Sequence, residues 1–251
     1  MNNDEIGKES LSAFIITLRN LIKQGSNFDL IIGAGDSGQA MVWIANEIFE
    51  TSGKNMPKII VLPIYRHADD AETIVFDNNY FSEDLKREVD PENVKNILLV
   101  DDEVGNGTVV SAIANLIQFA SLDSNERGLT VISEDQGYNP PEKIGNVKIN
   151  FISTKKATEG IYNAISLIVP ENLRKEIKSA TEGLVEYPNE KLALNALLGL
   201  PIKSFNNGNP VFSDEYIGEL KNRIPNFEQK QNEFESNLKK VIVEDLRGVG
   251  I

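Results

Sequence analysis

Residues 97–108 read ILLVDDEVGNGT, and the order of residue types in this stretch decides the fold. Ile97, Leu98, Leu99 and Val100 form an apolar run typical of a buried strand, and it ends in adjacent carboxylates, Asp101 and Asp102. Gly105, Asn106 and Gly107 then make a small-residue loop. Beyond it Val110, Ile113, Ala114 and Ile117 recur at helical spacing. Strand, acid pair, glycine loop and helix together suit a sugar phosphate. Glycines let successive backbone N–H groups converge on an anion, and the helix N-terminus behind them adds roughly half a positive charge. The two carboxylates can accept hydrogen bonds from a diol, or coordinate Mg²⁺ directly or through water.

Outward from this stretch, strand and helix signals alternate. Strands are expected at residues 29–32, 59–62, 97–100, 129–132 and 147–152. An opening amphipathic helix is carried by Leu11, Phe14, Ile15, Leu18, Leu21 and Ile22, with Gly25 as its stop, and QAMVWIANEIF forms a second helix ending near Ser52 and Gly53. Strands separated by helices of this length predict an α/β fold, with right-handed crossovers and a mainly parallel sheet flanked by helices. Ligands of such sheets bind outside the carboxyl ends of the strands. Residues 66–96 break the rhythm with a long acidic segment, in which Ile74, Val75 and Phe76 suggest a short strand arm; this length fits a functional flap or a disordered excursion.

A second constellation lies at residues 29–38, DLIIGAGDSG, a strand followed by a tight glycine loop and a helix. The amides of Gly35, Asp36, Ser37 and Gly38, with the Ser37 hydroxyl, suit a diphosphate, whereas the Asp36 carboxylate would repel one unless Mg²⁺ lies between. The same residues satisfy the dinucleotide fingerprint G-x-G-x-x-G. That reading wants an acid at the end of the second strand, where KIIVLPIYRH instead ends in Tyr65, Arg66 and His67. Arg66 has a planar guanidinium suited to a phosphate, including the 2′-phosphate of a dinucleotide.

The stretch at 97–108 resembles the 5-phosphoribosyl-1-pyrophosphate (PRPP) motif of type I phosphoribosyltransferases, and Gly33, Ser37 and Gly38 match that family's pyrophosphate loop. The resemblance covers roughly residues 29–152. It implies that Asp101 and Asp102 contact the ribose hydroxyls and Mg²⁺, that Gly105, Asn106, Gly107, Thr108 and Val109 wrap the 5-phosphate, and that Arg66 and residues 35–38 meet the pyrophosphate. It implies a PRPP- and magnesium-dependent glycosyltransferase (pentosyltransferase) of nucleotide metabolism, with the acidic segment as the lid that closes over the reacting centre. Several features depart from the family. Gly105 stands where the hypoxanthine-type branch has an aspartate, no lysine occurs between residues 66 and 85 where the orotate-type branch has catalytic lysines, and Asp36 replaces a cation. A noncatalytic module of the same fold, binding a nucleotide or sugar phosphate for regulation, therefore stands beside the transferase reading; a Rossmann-type dinucleotide-binding protein is the lesser alternative.

The expected organisation is an N-terminal hood or packing helix over residues 1–26, a phosphoribosyltransferase-like core over 27–155, and a mostly helical extension over 156–251. In the extension, helices are expected near residues 161–168, after Pro170 and at 189–198. A last stripe of Phe227, Phe234, Leu238, Val241 and Ile242 packs on its own core or on a homodimer mate. The net charge of −13 argues against broad nucleic-acid contact, and the absence of cysteine excludes disulfides, thiolate nucleophiles and cysteine metal sites. A single histidine leaves little room for a Ser-His-Asp triad or a multi-histidine metal site. The polar N-terminus MNNDEIGKES lacks signal-peptide character, and no apolar run approaches the ~20 residues that span a bilayer, so a cytoplasmic protein is expected.

Overall fold

The computed structural model describes residues 3–62, 64–66, 74–76, 93–120, 125–135, 137–156, 171–181, 202–206, 209–213 and 215–248. Helix α1 (Asn3–Lys23) precedes β1 (Leu30–Ala34), α2 (Gly35–Thr51) and β2 (Lys58–Leu62). Two short strands, β3 (Ile64–Arg66) and β4 (Ile74–Phe76), lead to β5 (Asn96–Val104), α3 (Thr108–Ala120), β6 (Arg127–Asp135), β7 (Lys143–Ile144) and β8 (Val147–Lys156). The C-terminal part holds α4 (Glu171–Thr181), a hairpin of β9 (Ile202–Asn206) and β10 (Asn209–Ser213), α5 (Glu215–Arg223) and α6 (Phe227–Gly248). The helices expected at 161–168 and 189–198 lie outside the described residues.

The protein is α/β. Its main sheet runs in the order β2-β1-β5-β6-β8-β7, and every pairing is parallel except that of β7 with β8. Strand residues alternate between two cores because successive side chains point to opposite faces. Ile31, Leu98, Val100 and Ile132 join Leu11, Phe14, Ile15 and Leu18 of α1 and Met41, Ile44, Ala45 and Ile48 of α2 on one face. Leu30, Ile32, Ile97, Leu99 and Val131 meet Val110, Ile113, Ala114 and Ile117 of α3 on the other. Leu173 of α4 and Phe227 and Phe234 of α6 enter the first core, and Glu47 of α2 ties down Lys239 of α6 at 3.1 Å, a pair that raises the lysine pKa. α1 lies against α2, α6 and the β6–β8 region of the sheet.

The amino edge of the sheet is closed by side chains. Asp29 Oδ2 accepts the N–H groups of Lys95 and Asn96 at 2.9 and 2.8 Å, joining the start of β1 to that of β5. Buried Arg127 donates from Nε to the Val94 carbonyl at 3.2 Å and from NH1 to the Asn125 carbonyl at 3.4 Å. Among the described residues, no helix is long and apolar enough to cross a membrane.

Candidate functional site

The strand order reverses at β1 and β5. From β1 the chain moves through α2 to β2 on one side, and from β5 it moves through α3 to β6 on the other. Because the two crossover helices cover opposite faces, their N-termini part at the carboxyl edge, the kind of switch point at which open α/β sheets form a ligand crevice. β1 and β5 are direct parallel neighbours, with Gly33 opposite Val100, so the first glycine segment lies beside the residue that precedes the acid pair, and the second follows the end of the longer β5 at the same edge of the sheet.

Their local form differs from the expectation. β1 runs to Ala34 and α2 begins at Gly35 with no intervening loop, so Gly35, Asp36 and Ser37 occupy the first helical turn. A helix begun this way has first-turn N–H groups without helical acceptors, and Ala34 at the cap supplies no side-chain partner. The side chains of Asp36 and Ser37 lie outside the described atoms.

The apolar run predicts a strand end at Val100, but β5 continues through the acid pair to Val104. It does so through a bulge: Val100 pairs with Ile132 and Glu103 with Glu134, so one extra residue sits on β5 where the acid pair lies. Asp101 is buried, with 6% exposure, and its Oδ1 accepts the Asp102 N–H at 3.0 Å; Asp102 is half-buried. Across the ladder Ser133 and Glu134 are fully buried, and Ser133 Oγ donates to the Glu134 carbonyl at 2.9 Å. Sequence reasoning missed Glu134. The signal available was the run ISED, which repeats in β6 the passage from apolar residues to acids seen in β5.

The loop before α3 holds Gly105, half-buried, Asn106, exposed, and Gly107, buried with φ of 74°. Asn106 Oδ1 accepts both the Thr108 N–H at 3.2 Å and the Thr108 hydroxyl at 2.7 Å, an Asx-type turn. The first helical bond runs from the Ser111 N–H to the Gly107 carbonyl at 2.9 Å. Asn106 therefore takes one amide of the segment expected to cradle a phosphate, while the Val109 and Val110 amides, in the first turn, face no helical carbonyl. Tyr138, from the turn after β6, fills the space that a β-carbon on Gly107 would need.

Arg66 ends β3, which pairs antiparallel with β4 in a separate two-stranded sheet, Arg66 opposite Ile74. This is the strand arm expected at 74–76, and β4 packs against α3. The Arg66 side chain and residues 67–73 and 77–92, which carry His67, Lys86, Arg87 and most of the expected lid, lie outside the described residues. Among the described residues no three His, Asp or Glu side chains gather as a metal cage. Asp101, buried and accepting the Asp102 N–H, and half-buried Asp102 are the carboxylates that would hold a Mg²⁺, with water and substrate phosphates completing its shell.

Comparison with known protein families finds no match, and none of the curated proteins matches. Among solved structures, a similar chain is a hypothetical protein from Neisseria gonorrhoeae with bound ppGpp. It is 16% identical, with the alignment covering 62% of this chain and 84% of that one, at a TM-score of 0.32. A likeness at that score carries no argument about the fold or the ligand of this chain.

Proposed function

We propose that the crevice between α2 and α3 binds PRPP with Mg²⁺, and that the protein transfers the phosphoribosyl group to an acceptor with release of pyrophosphate. The observation that supports this most is the adjacency of β1 and β5, which sets two helix N-termini and the acid pair along the same edge of the sheet. A ligand with a phosphate at each end and a diol between them suits that arrangement. Asp101 and Asp102 would orient the ribose through its hydroxyls. The amides of Gly107, Val109 and Val110, joined by that of Thr108 where the anion displaces the Asn106 side chain, would hold the 5-phosphate, and those of the first turn of α2 would take the diphosphate. Mg²⁺, when bound, neutralises charge developing on the leaving group. Breaking the bond from C1 to pyrophosphate develops positive charge on the sugar, so these residues would contribute by orienting the ribose and its phosphates rather than by moving a proton.

A second reading, a noncatalytic sugar-phosphate or nucleotide binder, is favoured by Asp36 in the first turn of α2 and by Asn106 on the Thr108 amide. Calorimetric titration with PRPP in the presence and absence of Mg²⁺ tests the shared site: binding that requires Mg²⁺ supports it, and no binding in either case refutes it. Pyrophosphate release from PRPP in the presence of free nucleobases then separates transferase from binder.

A further inference from the structure

We infer that Tyr138 is a positioning residue for the anion loop, its ring holding Gly107 in the left-handed conformation from which α3 presents its first amides. The inference rests on reading residues 105–109 as a phosphate cradle. Gly107 is buried with φ of 74°, a backbone angle strained for any residue with a β-carbon. The space beside its α-carbon is occupied by the Tyr138 ring. Glycine is thus required twice at one position, by its angle and by its contact.

The ring is also held from behind. It meets Phe151 of β8 edge to face, with centroids 5.8 Å apart and planes at 88°. It packs on the same apolar cluster that holds Val110 and Ile113 of α3, and its hydroxyl is screened from solvent. Interiors are close-packed, so a ring wedged between a strand and a loop transmits the position of one to the other. Tyr138 thereby couples the β6–β8 part of the sheet to the loop between β5 and α3. Without the ring, Gly107 regains the conformational freedom that glycine has in full, and the amides that follow it lose their fixed direction.

Hydrogen–deuterium exchange of the ligand-free protein, together with titrations of ribose 5-phosphate and of pyrophosphate, tests this on wild type, Tyr138→Ala and Tyr138→Phe. Tyr138→Ala is expected to speed exchange in peptides covering residues 105–110. It should weaken ribose 5-phosphate binding about tenfold or more, the scale on which lost positioning acts, and leave pyrophosphate affinity unchanged. Tyr138→Phe, which keeps the ring, should restore both. If Tyr138→Ala does not fold, Tyr138→Leu fills the space below α3 without covering Gly107 and carries the same expectation. Exchange that is unchanged, or that rises equally throughout β6 and β8, overturns the inference, as does wild-type affinity for ribose 5-phosphate in the variant. A wild type that takes no ribose 5-phosphate, while loop exchange still answers to the ring, supports the brace and refutes the phosphate reading.

Discussion

The Gly38 carbonyl fills the space that a side chain on Gly33 would enter, so the end of β1 and the first turn of α2 touch main chain to main chain. A β-carbon built on Gly38 would in turn come 2.7 Å from the Gly33 carbonyl carbon and 3.6 Å from the carbonyl oxygen of Val100, the residue before the acid pair. This contact sets the distance between the first turn of α2 and β5 at Val100.

Gly33→Ala should therefore push α2 away from the sheet and destabilise the protein by about 1–3 kcal/mol, the usual cost of overpacking. Urea unfolding measures it. A Gly33→Ala protein as stable as wild type would mean that α2 moves freely against β1, and the crevice would then have no fixed width.

Asn106 competes with any anion for the Thr108 amide. Asn106→Ala should lower stability by about 0.5–1.5 kcal/mol, since two exposed hydrogen bonds from Thr108 are lost. It should also tighten ribose 5-phosphate binding by roughly threefold to tenfold, the equivalent of about 1 kcal/mol. Weaker binding in this variant would show that the Asn106 side chain is part of the ligand contact and not its competitor.

Asp29 supplies a control at the opposite edge of the sheet. Its carboxylate accepts two backbone N–H groups at the start of β5, so Asp29→Ala should cost about 1–3 kcal/mol in thermal or urea unfolding. Ligand affinity, measured well below the melting temperature, should not change. A specific loss of binding would mean that the edges are coupled through β1.

The apolar runs of β1 and β5 were legible because a strand buried on both faces has little choice of residue type; β2, β6 and β8 were legible from their short apolar runs, and α3 from its helical period. Boundaries were less so. β5 runs on through Asp101 and Asp102 because a bulge keeps it on β6, and a bulge depends on the partner strand rather than on local sequence. The segment at 33–38 reads as a loop, yet the Gly33–Gly38 contact lets α2 start at once. Arg66 was expected just after the second core strand and instead closes a separate hairpin. Arg127, Glu134 and Tyr138 escaped attention for a common reason: charged or polar-tipped side chains read as surface until tertiary packing encloses them.

Asp36 distinguishes the two functional readings. The backbone places it in the first turn of α2, where a carboxylate opposes a second anion. Asp36→Arg should strengthen metal-free binding of pyrophosphate and PRPP while leaving ribose 5-phosphate unchanged. Equal affinities for all ligands before and after the substitution would show that residue 36 does not face the diphosphate.

Calorimetric titration of PRPP with Mg²⁺ into wild type and into the Asp101→Asn, Asp102→Asn double variant bears on the acid pair most directly. Asparagine keeps the shape and one acceptor of each side chain but removes the charge that strengthens hydrogen bonds to a diol and holds the metal. The proposal predicts Mg²⁺-dependent binding to wild type, a loss of about tenfold or more in the variant on the scale of charged hydrogen bonds, and a retained cooperative unfolding transition. Equal PRPP affinity in both proteins, or no PRPP binding to wild type, would contradict it.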